Sequence, residues 1–478
     1  MRVDVGGALF YLFAGVSFLY VVHFGIYLVG ANIYDIWQRR RKHRRGRGAP
    51  VSLLGECAAT ARCARRYPEE IPGLVSIVIA AHNEEQVIVR SLDSLRLSTY
   101  RNYEVIVADD ASTDMTERLV RDYRVRHPEM NLRIYRMRRN VGKGVALSAV
   151  LRRHARGEYV MTLDADSLIA ADAVVNALSY FDDPCVAGVA ANVQIIDEPT
   201  VLGVLQRFEH MIGYRSKKFY SVSRCEFVVG GVASTYRMRV LRKVGFYSKD
   251  SLTEDIGLST KITRLGNRRF RLVYGADVVA MTEGVLSFRA LARQRFRWKY
   301  GCLQVLITNR RLVLNPSRRY TRMLTLYRMP MAVLSEFTLL VSPLAWTYAV
   351  YMTLREYTPT LVLGAYATIT AYTLITIWMD ENLSRRESVR LSIFAPTAYF
   401  LFYIMDLVQL TAIARCIRRA RGLVKRAEVP STWVSPKRSG VRVTAPGLPA
   451  PRRPITMSGN VAAQLSQDVA PRTRSHAA

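Results

Sequence analysis

Short apolar segments alternate with amphipathic segments in the chain after residue 70. Five runs are rich in β-branched and aromatic residues and predict strands: Val75–Ala80, Tyr103–Ala108, Leu132–Tyr135, Glu158–Leu163 and Val186–Ala190. Most of them are separated by stretches with helical periodicity: Glu84–Leu97, Asp114–His127, Lys143–His154 and Ala170–Phe181. This alternation predicts an α/β domain with a mainly parallel sheet, helices on both faces, and ligands at the carboxyl ends of the strands.

Four longer apolar runs lie outside that region, and each is long enough for a helix to cross a bilayer: residues 8–33, 332–353, 361–379 and 391–413. The basic segment Arg39–Arg45 closely follows the first run, so the positive-inside rule predicts that the chain begins outside and continues in the cytosol. Three further spans would place the tail outside, whereas the basic residues 415–426 favour the cytosol. Either the tail is an exception to the rule or one run does not cross.

Two segments before the second apolar run predict helices that lie in the headgroup region. Residues 287–306 alternate aromatic and aliphatic residues with arginines and a lysine, which is typical of an amphipathic helix at a membrane surface. Residues 318–331 predict a second such helix.

The chain has 478 residues and a formal net charge of +31, although half of its residues are hydrophobic. The basic residues are concentrated beside the apolar runs, and the tail from Arg415 onward has 13 lysines and arginines against two acids. Such flanks first indicate contact with anionic lipids and only second nucleic-acid binding. No nucleic-acid motif accompanies them, so we expect no nucleic-acid partner. The six cysteines have no zinc-site spacing and are predicted to be reduced thiols.

The fourth predicted strand ends in two carboxylates one residue apart, Asp164 and Asp166. Positions i and i+2 of an extended strand point the same way, so both carboxylates can reach one cation. Oxygen ligands beside the phosphates of a nucleotide suit Mg²⁺ or Mn²⁺. An isolated pair of this kind is more often a polar turn that closes a strand, so the interpretation depends on the other motifs.

Polar clusters also follow the first two predicted strands. The first strand runs into His82 and Glu84 at the start of a helical stretch, and the second runs into Asp109 and Asp110. Helix N-termini at such positions supply backbone donors for phosphate groups. Helix capping alone would explain Asp114, but hardly Asp109 and Asp110 as well.

Three downstream motifs each have a structural and a functional interpretation. Glu254 and Asp255 favour the first turn of a helix whatever else they do. Gly230 and Gly231 form either a simple turn or a backbone that a sugar can approach closely. Trp298 either anchors a helix in the membrane or offers a flat face on which a sugar ring can stack.

The order and spacing of five motifs resemble the membrane-integrated, processive branch of the family 2 glycosyltransferases, which have the GT-A fold. The motifs are the first strand with residues 82–85, the acidic segment 109–114, the D-x-D at 164–166, the T-E-D at 253–255 and the Q-x-x-R-W at 294–298. The resemblance covers residues 75–301. This branch includes the cellulose, chitin, hyaluronan and poly-N-acetylglucosamine synthases. Several of these relatives have two N-terminal spans, whereas this chain has one.

The resemblance implies a donor site for a UDP-sugar. Asp109 would accept a hydrogen bond from the uracil ring, and His82 would lie near the base. Lys143 would lie near the nucleotide, Asp164 near the ribose and the metal, and Asp166 would bind the metal that bridges the diphosphate. The other implied donor contacts are Glu84, Asp110 and Arg297.

The resemblance also implies an acceptor site. Asp255 would be the general base that takes a proton from the acceptor hydroxyl, working by its position and a raised pKa. The residues implied to line the acceptor are Gly230, Gly231, Glu254, Gln294 and Trp298.

These expectations combine into an inverting, metal-dependent glycosyltransferase that polymerises a β-linked polysaccharide, with UDP-N-acetylglucosamine as the preferred donor. The enzyme would lie in the plasma membrane with a cytosolic catalytic domain, and its partners would be the UDP-sugar, the growing polysaccharide and anionic lipids. One rival transfers a single sugar to a polyprenyl-phosphate lipid. Another is an inactive membrane scaffold or nucleotide-sugar sensor, which the five intact polar motifs argue against.

The predicted organisation has six parts. Residues 1–36 form a transmembrane helix, 37–70 a basic linker, 71–285 the GT-A domain, 286–331 interfacial helices, 332–414 three transmembrane helices, and 415–478 a basic tail. Beyond residue 430 the composition predicts disorder.

Overall fold

The computed structural model describes residues 5–45, 70–196, 200–248, 251–356 and 359–419. In these ranges eight strands form one sheet: β1 (Ile71–Ala81), β2 (Tyr103–Asp109), β3 (Leu132–Arg136), β4 (Gly157–Asp164), β5 (Leu168–Ile169), β6 (Val186–Ile195), β7 (Ser234–Arg237) and β8 (Arg271–Thr282). Helices of the sheet domain are α2 (Ile88–Arg96), α3 (Thr116–Arg126), α4 (Lys143–Arg153), α5 (Ala173–Tyr180), α6 (Val201–Val222), α7 (Met238–Val244) and α8 (Glu254–Arg264). The remaining helices are α1 (Val5–Arg45), α9 (Phe288–Thr308), α10 (Met329–Glu356), α11 (Thr360–Trp378), α12 (Arg385–Phe394) and α13 (Ala398–Arg418).

The strand order is β3-β2-β1-β4-β7-β6-β8-β5. β1 pairs in parallel with β2 and β4, β2 with β3, and β6 with β8. β7 runs antiparallel to β4 and β6, and β5 runs antiparallel to β8. The mixed sheet confirms the predicted α/β fold, and its β3-β2-β1-β4 half carries the predicted strand-end motifs.

The central strand β1 is apolar on both sides because helices cover both faces of the sheet. Ile77 and Ile79 pack in one buried cluster with Leu92 of α2. The alternate residue Val78 packs in a second cluster with Leu147 of α4. The two-residue period of a strand thus sends successive side chains into two separate cores.

Three strands, β5, β7 and β8, are not predicted by the pattern of apolar and polar residues. β5 has two residues and β7 has four, so neither is long enough to show an alternation. β8 is longer, but its pairing with β6 shifts register between Ala191 and Asn192. Such irregularities interrupt the period that a strand prediction depends on.

Helix α1 extends beyond the predicted membrane span and packs on the sheet domain. The Tyr34 hydroxyl donates to the Tyr274 carbonyl at 2.7 Å, and the Arg41 guanidinium lies 3.5 Å from the centre of the Tyr180 ring. Asp35 forms an ion pair with Lys218 of α6 at 2.6 Å. The predicted boundary at residue 36 therefore falls inside a helix, and residues 46–69 of the predicted linker lie outside the described residues.

The C-terminal region is helical, and two stretches of its described residues are long and apolar enough to cross a membrane. They are Met323–Leu344 and Arg385–Arg418, and a shorter apolar helix covers Val362–Trp378. The predicted interfacial helix at 318–331 instead includes a π-helical segment, Met323–Arg328, that runs directly into α10. The last predicted span is interrupted by a 3₁₀ turn at Ala395–Thr397, which contains Pro396. The predicted tail beyond residue 419 is outside the described ranges.

The cysteine prediction is only partly confirmed. Cys225, Cys302 and Cys416 are free thiols, whereas Cys185 is disulfide-bonded, so the prediction of a reduced thiol is wrong there. Cys57 and Cys63 lie outside the described residues.

Candidate active site

The predicted donor residues follow adjacent parallel strands at one edge of the sheet. Ala81 of β1 pairs with Asp109 at the end of β2, and Ala80 pairs with Asp164 at the end of β4. Because these strands are parallel and in register, their carboxyl ends meet at the same edge. The acidic motif of β2 and the D-x-D of β4 therefore lie at the same edge of the sheet, on either side of β1.

The Asp109 side chain is completely buried, and within the described residues only one of its two carboxylate oxygens accepts hydrogen bonds. The backbone N–H and the hydroxyl of Ser112 both donate to Asp109 Oδ1, at 2.9 and 2.5 Å. Arg136 Nε lies 3.7 Å from the other oxygen, Oδ2, which makes no hydrogen bond within the described residues. Native proteins seldom leave a buried carboxylate oxygen without a donor, so Oδ2 is a suitable acceptor for a ligand N–H.

Asp110 fixes the loop that leads into α4. Its two carboxylate oxygens accept from the backbone N–H groups of Val141 and Gly142, both at 2.8 Å. Gly142 has a positive φ of 88° and immediately precedes Lys143, the first residue of α4. Burial raises the pKa of Asp110, and the two backbone hydrogen bonds oppose that rise. These hydrogen bonds give Asp110 a structural role in the loop. Its direct contact with the UDP-sugar stays a prediction.

His82 and Glu84 lie on the loop after β1 and differ in exposure. His82 Nδ1 donates to the Asp110 carbonyl at 2.8 Å, and His82 Nε2 lies 3.2 Å from Asn140 Nδ2. Asn83 between them has a left-handed backbone, with φ of 56°. Glu84 is only 1% exposed, and its backbone N–H donates to Thr116 Oγ1. His82 thus borders the loop held by Asp110, and the predicted donor contacts of both residues remain untested.

One lysine joins the two halves of the predicted site. Lys143 Nζ lies 2.5 Å from Asp164 Oδ1 and 3.1 Å from Glu254 Oε1. Burial opposes the charged form, but Asp164, Glu254 and Asp255 together raise the pKa of Lys143 well above its usual range. The ammonium therefore links the D-x-D of β4 to the T-E-D at the start of α8.

Asp255 is the second residue of α8 and is half-buried. Its Oδ1 accepts from the Ile256 backbone N–H at 2.8 Å. Burial raises the pKa of Asp255 to about 6, with Glu254 and Asp164 acting in the same direction and Lys143 opposing them. A carboxylate with a pKa in this range can accept a proton near neutral pH more readily than an ordinary aspartate.

Gly231 forms the surface between these charged groups. A Cβ atom at this position would lie 3.1 Å from Lys143 Nζ, 3.9 Å from Asp255 Oδ2 and 4.0 Å from Asp164 Oδ1. The neighbouring Gly230 faces open space, with no atom within 4 Å of such a Cβ. The two glycines therefore leave the charged cluster accessible from the backbone side.

Asp166 lies in a more buried position and brings in two residues that the sequence analysis did not assign. Its Oδ1 accepts from the Ser167 hydroxyl at 3.0 Å, and its backbone carbonyl accepts from Arg90 Nη2 at 3.3 Å. Arg90 also forms an ion pair with the buried Glu283 at 2.9 Å. Because Arg90 lies in α2 and Glu283 follows β8, only the folded chain reveals this network.

The Q-x-x-R-W motif lies on α9. Gln294 Oε1 accepts from Arg295 Nη1 at 3.2 Å, and the Arg295 guanidinium lies 4.1 Å from the centre of the Trp298 ring. Trp298 is 36% exposed, and Arg297 is exposed as well. No contact within the described residues joins Arg297 to the carboxylates, so its role stays a prediction.

The donor set fits a hard divalent cation. Mg²⁺ is usually held by one or two carboxylates together with substrate phosphates, rather than by a cage made only of protein ligands. Asp164 and Asp166 supply two carboxylates at one strand end, and the described residues include no group of three or more metal-binding side chains. A separate cavity, lined by residues such as Arg207, Arg215 and Asn382, includes none of the predicted site residues.

The sequence is similar to one described protein family and to several characterised enzymes. The pattern described as glycosyl transferase family 2 matches residues 76–245. A poly-β-1,6-N-acetyl-D-glucosamine synthase from Staphylococcus epidermidis is 24% identical over 439 residues, covering 88% of this chain and 98% of that protein. A synthase of the same name from Staphylococcus aureus is 26% identical over 292 residues, covering 60% of this chain and 65% of that protein.

A solved structure supports the fold. The mannosyltransferase PcManGT from Pyrobaculum calidifontis, solved with GDP-Man and Mn²⁺, matches with a TM-score of 0.52 and 22% identity. The match covers 85% of this chain and 99% of that one. The predicted GT-A fold is confirmed, and residues 76–245 form a domain that matches glycosyl transferase family 2.

Proposed function

We propose that this glycosyltransferase is inverting, metal-dependent and processive, and that it polymerises a β-linked polysaccharide from a UDP-sugar. The observation that carries the proposal is the convergence of Lys143, Asp164, Glu254 and Asp255 beside Gly231. UDP-N-acetylglucosamine is the preferred donor, because a relative named as a poly-N-acetylglucosamine synthase matches nearly its whole length, including the helical region.

Asp255 is the proposed general base. It takes the proton from the acceptor hydroxyl as that oxygen forms a bond to the anomeric carbon of the donor sugar. The bond between that carbon and the UDP oxygen breaks, and its electron pair leaves with UDP. Attack from the face opposite the leaving group inverts the configuration of the sugar. The raised pKa of Asp255 suits this task.

The remaining polar residues hold the donor. Asp109 accepts a hydrogen bond from the base through its orphaned Oδ2. Asp110 holds the loop that starts α4, which keeps Lys143 beside Asp164. Asp166 and Asp164 would hold the divalent cation, which supplies positive charge to the departing diphosphate. Lys143 adds a second positive charge at the same place.

The helical region supports a multi-pass membrane protein with a cytosolic catalytic domain. Two stretches of it are apolar and long enough to cross, and the helix α9 with exposed Trp298 precedes them. In this proposal α9 lies at the membrane surface with Trp298 and Gln294 near the acceptor, the helices pass the polymer, and the basic flanks contact anionic lipids. The domain boundaries proposed above for residues 71–285 and 286–331 follow the same division.

Product length tests the proposal against transfer of a single sugar to a polyprenyl-phosphate lipid. The full chain, purified in detergent with Mg²⁺ or Mn²⁺, is offered UDP-N-acetylglucosamine, UDP-glucose, UDP-glucuronic acid and GDP-mannose in separate reactions. We expect polymer from UDP-N-acetylglucosamine, identified by mass and glycosidase sensitivity. A product carrying one sugar on a lipid would overturn processivity, and no turnover with any UDP-sugar would overturn the donor assignment.

A substitution tests the metal role. Asp166→Ala should remove metal-dependent binding of the UDP-sugar, measured by calorimetry with and without Mn²⁺. The exposed carboxylate of Asp122 on α3 offers a control, because Asp122→Ala removes a charge that pairs with Arg118 on the same helix. Unchanged turnover of the unmodified chain in excess chelator would contradict metal dependence.

A further inference from the structure

Helix α9 packs directly against the segment that precedes α8. A Cβ atom at Gly301 of α9 would overlap Thr253 Oγ1 and would lie 2.7 Å from its Cγ2 and 2.9 Å from its Cβ. Separations below about 3 Å are far inside the usual packing distance of two carbon atoms, which is about 3.5–4.0 Å. Only glycine permits this approach.

Two hydrogen bonds tie the same surfaces together. The Leu252 backbone N–H donates to Gln304 Oε1 at 3.1 Å, and the Ser251 hydroxyl lies 3.4 Å from the Gly301 carbonyl. Thr253 and Gln304 are both buried, at 5% and 7% exposure. The segment 251–253 therefore rests on α9 through a side chain, a backbone amide and a glycine surface.

This contact adjoins the proposed base in the sequence. Thr253 is the N-cap residue of α8, Glu254 is its first helical residue and Asp255 its second. Gly301 follows Trp298 of the Q-x-x-R-W motif by three residues, which is about one helical turn. Helix α9, which carries the Q-x-x-R-W motif, therefore contacts the residues that directly precede Glu254 and Asp255.

We propose that Gly301 and Gln304 are positioning residues for Asp255. They hold residues 251–253 against α9, and this fixes the direction in which the first turn of α8 presents the Asp255 carboxylate. The inference rests on the proposed role of Asp255 as general base. It adds two residues outside the recognised motifs and explains why α9 must pack on α8 for the acceptor to be activated.

A methyl group at Gly301 would push Thr253 away, and the displacement would pass to Asp255 two residues later. The helix α9 itself would not be weakened, because alanine has a higher helix propensity than glycine. A misplacement of about 1 Å of a catalytic group can lower a rate about 100-fold. Donor binding should change little, because Asp109 and Asp110 lie on other elements and are held by their own hydrogen bonds.

The experiment compares Gly301→Ala with the unmodified full chain in detergent, using UDP-N-acetylglucosamine as donor. We expect kcat to fall about 10- to 100-fold, while KM for the donor and the affinity for UDP stay within about twofold. Gln304→Leu, which removes the acceptor of the Leu252 N–H, should lower kcat in the same selective way but by less. Gly213→Ala in α6 is the matched control, because a Cβ there meets no atom within 4 Å.

A second substitution separates displacement from general damage. Thr253→Ala removes the two atoms closest to the added methyl group, so the double variant Gly301→Ala with Thr253→Ala should recover part of the lost kcat. Recovery would support positioning. Loss of UDP binding together with kcat in Gly301→Ala, or no recovery in the double variant, would overturn it.

The outcome for Asp255 distinguishes this inference from the proposed function. If Gly301→Ala turns over normally while Asp255→Asn is inactive, the positioning inference is wrong and the general base stands. If Asp255→Asn remains active, the proposed function of that residue is wrong whatever the Gly301 variants do.

Discussion

Two groups of carboxylates lie at the same edge of the sheet, and the protein holds them in different ways. Asp109 and Asp110 are completely buried, and backbone and hydroxyl donors approach them at 2.5–2.9 Å. Asp164 and Glu254 are partly exposed and share the ammonium of Lys143. Hydrogen bonds from backbone and hydroxyl groups hold the first group, whereas ion pairs with one lysine hold the second.

The difference shows how one site can be rigid on one side and electrostatically responsive on the other. Backbone donors cannot move away without unfolding a turn, so the carboxylates of the first group are held in fixed positions. A lysine on a flexible stem can be displaced or shared, so the balance of charge in the second group depends on where that ammonium lies. Substitutions in the two groups should therefore have different effects on stability and on the pH dependence of activity.

The largest effect is expected for Asp255→Asn. The amide cannot accept the proton of the acceptor hydroxyl, so transfer should fall by up to about 10⁴-fold while UDP binding is kept. Because the pKa of Asp255 is raised to about 6, the activity of the unmodified enzyme should fall as the pH drops through about 6. Initial rates from pH 5 to 8 and calorimetric titration with UDP check both statements.

The stability of the same variant gives a further check. A raised folded-state pKa means that the folded protein binds this proton more tightly than the unfolded chain, so the ionised carboxylate lowers stability above about pH 6. Asp255→Asn should therefore keep or increase Tm at pH 7.5. A lower Tm together with lost UDP binding would show that the variant is damaged structurally and would contradict the assigned role.

The next effect is expected for Lys143→Met, which removes the charge that Asp164 and Glu254 share. Lys143 holds the pKa of Asp255 down, so its loss should raise that pKa and move the acidic limb of the pH–rate profile to higher pH. Turnover at neutral pH should fall on the order of 10²-fold, as when one electrostatic donor is lost from an active site. Lys143→Arg keeps the charge and should leave the limb near its original position. If the acidic limb of the pH–rate profile is not shifted in Lys143→Met, Lys143 does not set the pKa of Asp255.

The sequence predicts which strand ends meet better than it predicts which charged side chains pair. Strands β1, β2 and β4 have clear apolar runs that end in polar motifs, so the meeting of Asp109 and Asp164 at one edge follows from parallel pairing alone. The contact between Lys143 and Glu254 does not follow in that way. It depends on how α8 packs beside α4, and no periodicity in either segment encodes that packing.

Most of the parts that the sequence does not predict lack a local signal, and helix α6 is the exception. Arg90 of α2 and Glu283 after β8 form an ion pair, and no pattern in either segment predicts that contact. Helix α6 does have a local signal, because the Thr200 side chain caps it by accepting from the Gly203 N–H, as Ser and Thr commonly do. The boundary of α1 was missed because its basic residues resemble a linker in composition, whereas Arg41 is buried against Tyr180.

The smallest effect is expected for Asp110→Asn, and it falls on stability more than on chemistry. The asparagine oxygen can accept from only one of the two backbone N–H groups, and its amide N–H₂ would face the other donor. Burial raises the pKa of Asp110, so neutralisation relieves some desolvation, but one unsatisfied buried N–H costs about 1–3 kcal/mol. The lost hydrogen bond should outweigh the relief, so we expect a lower Tm and a moderately higher KM for the donor, because the loop before Lys143 loosens.

The pH–rate profile makes Asp110→Asn a sharp test of the comparison. If the buried pair is held by geometry and Lys143 remains beside Asp164, the acidic limb set by Asp255 should stay where it is in the unmodified enzyme. Thermal unfolding and initial rates from pH 5 to 8 measure the two responses on one preparation. A shifted limb with an unchanged Tm would mean that Asp110 also acts through charge, and the two groups of carboxylates would then form a single electrostatic unit.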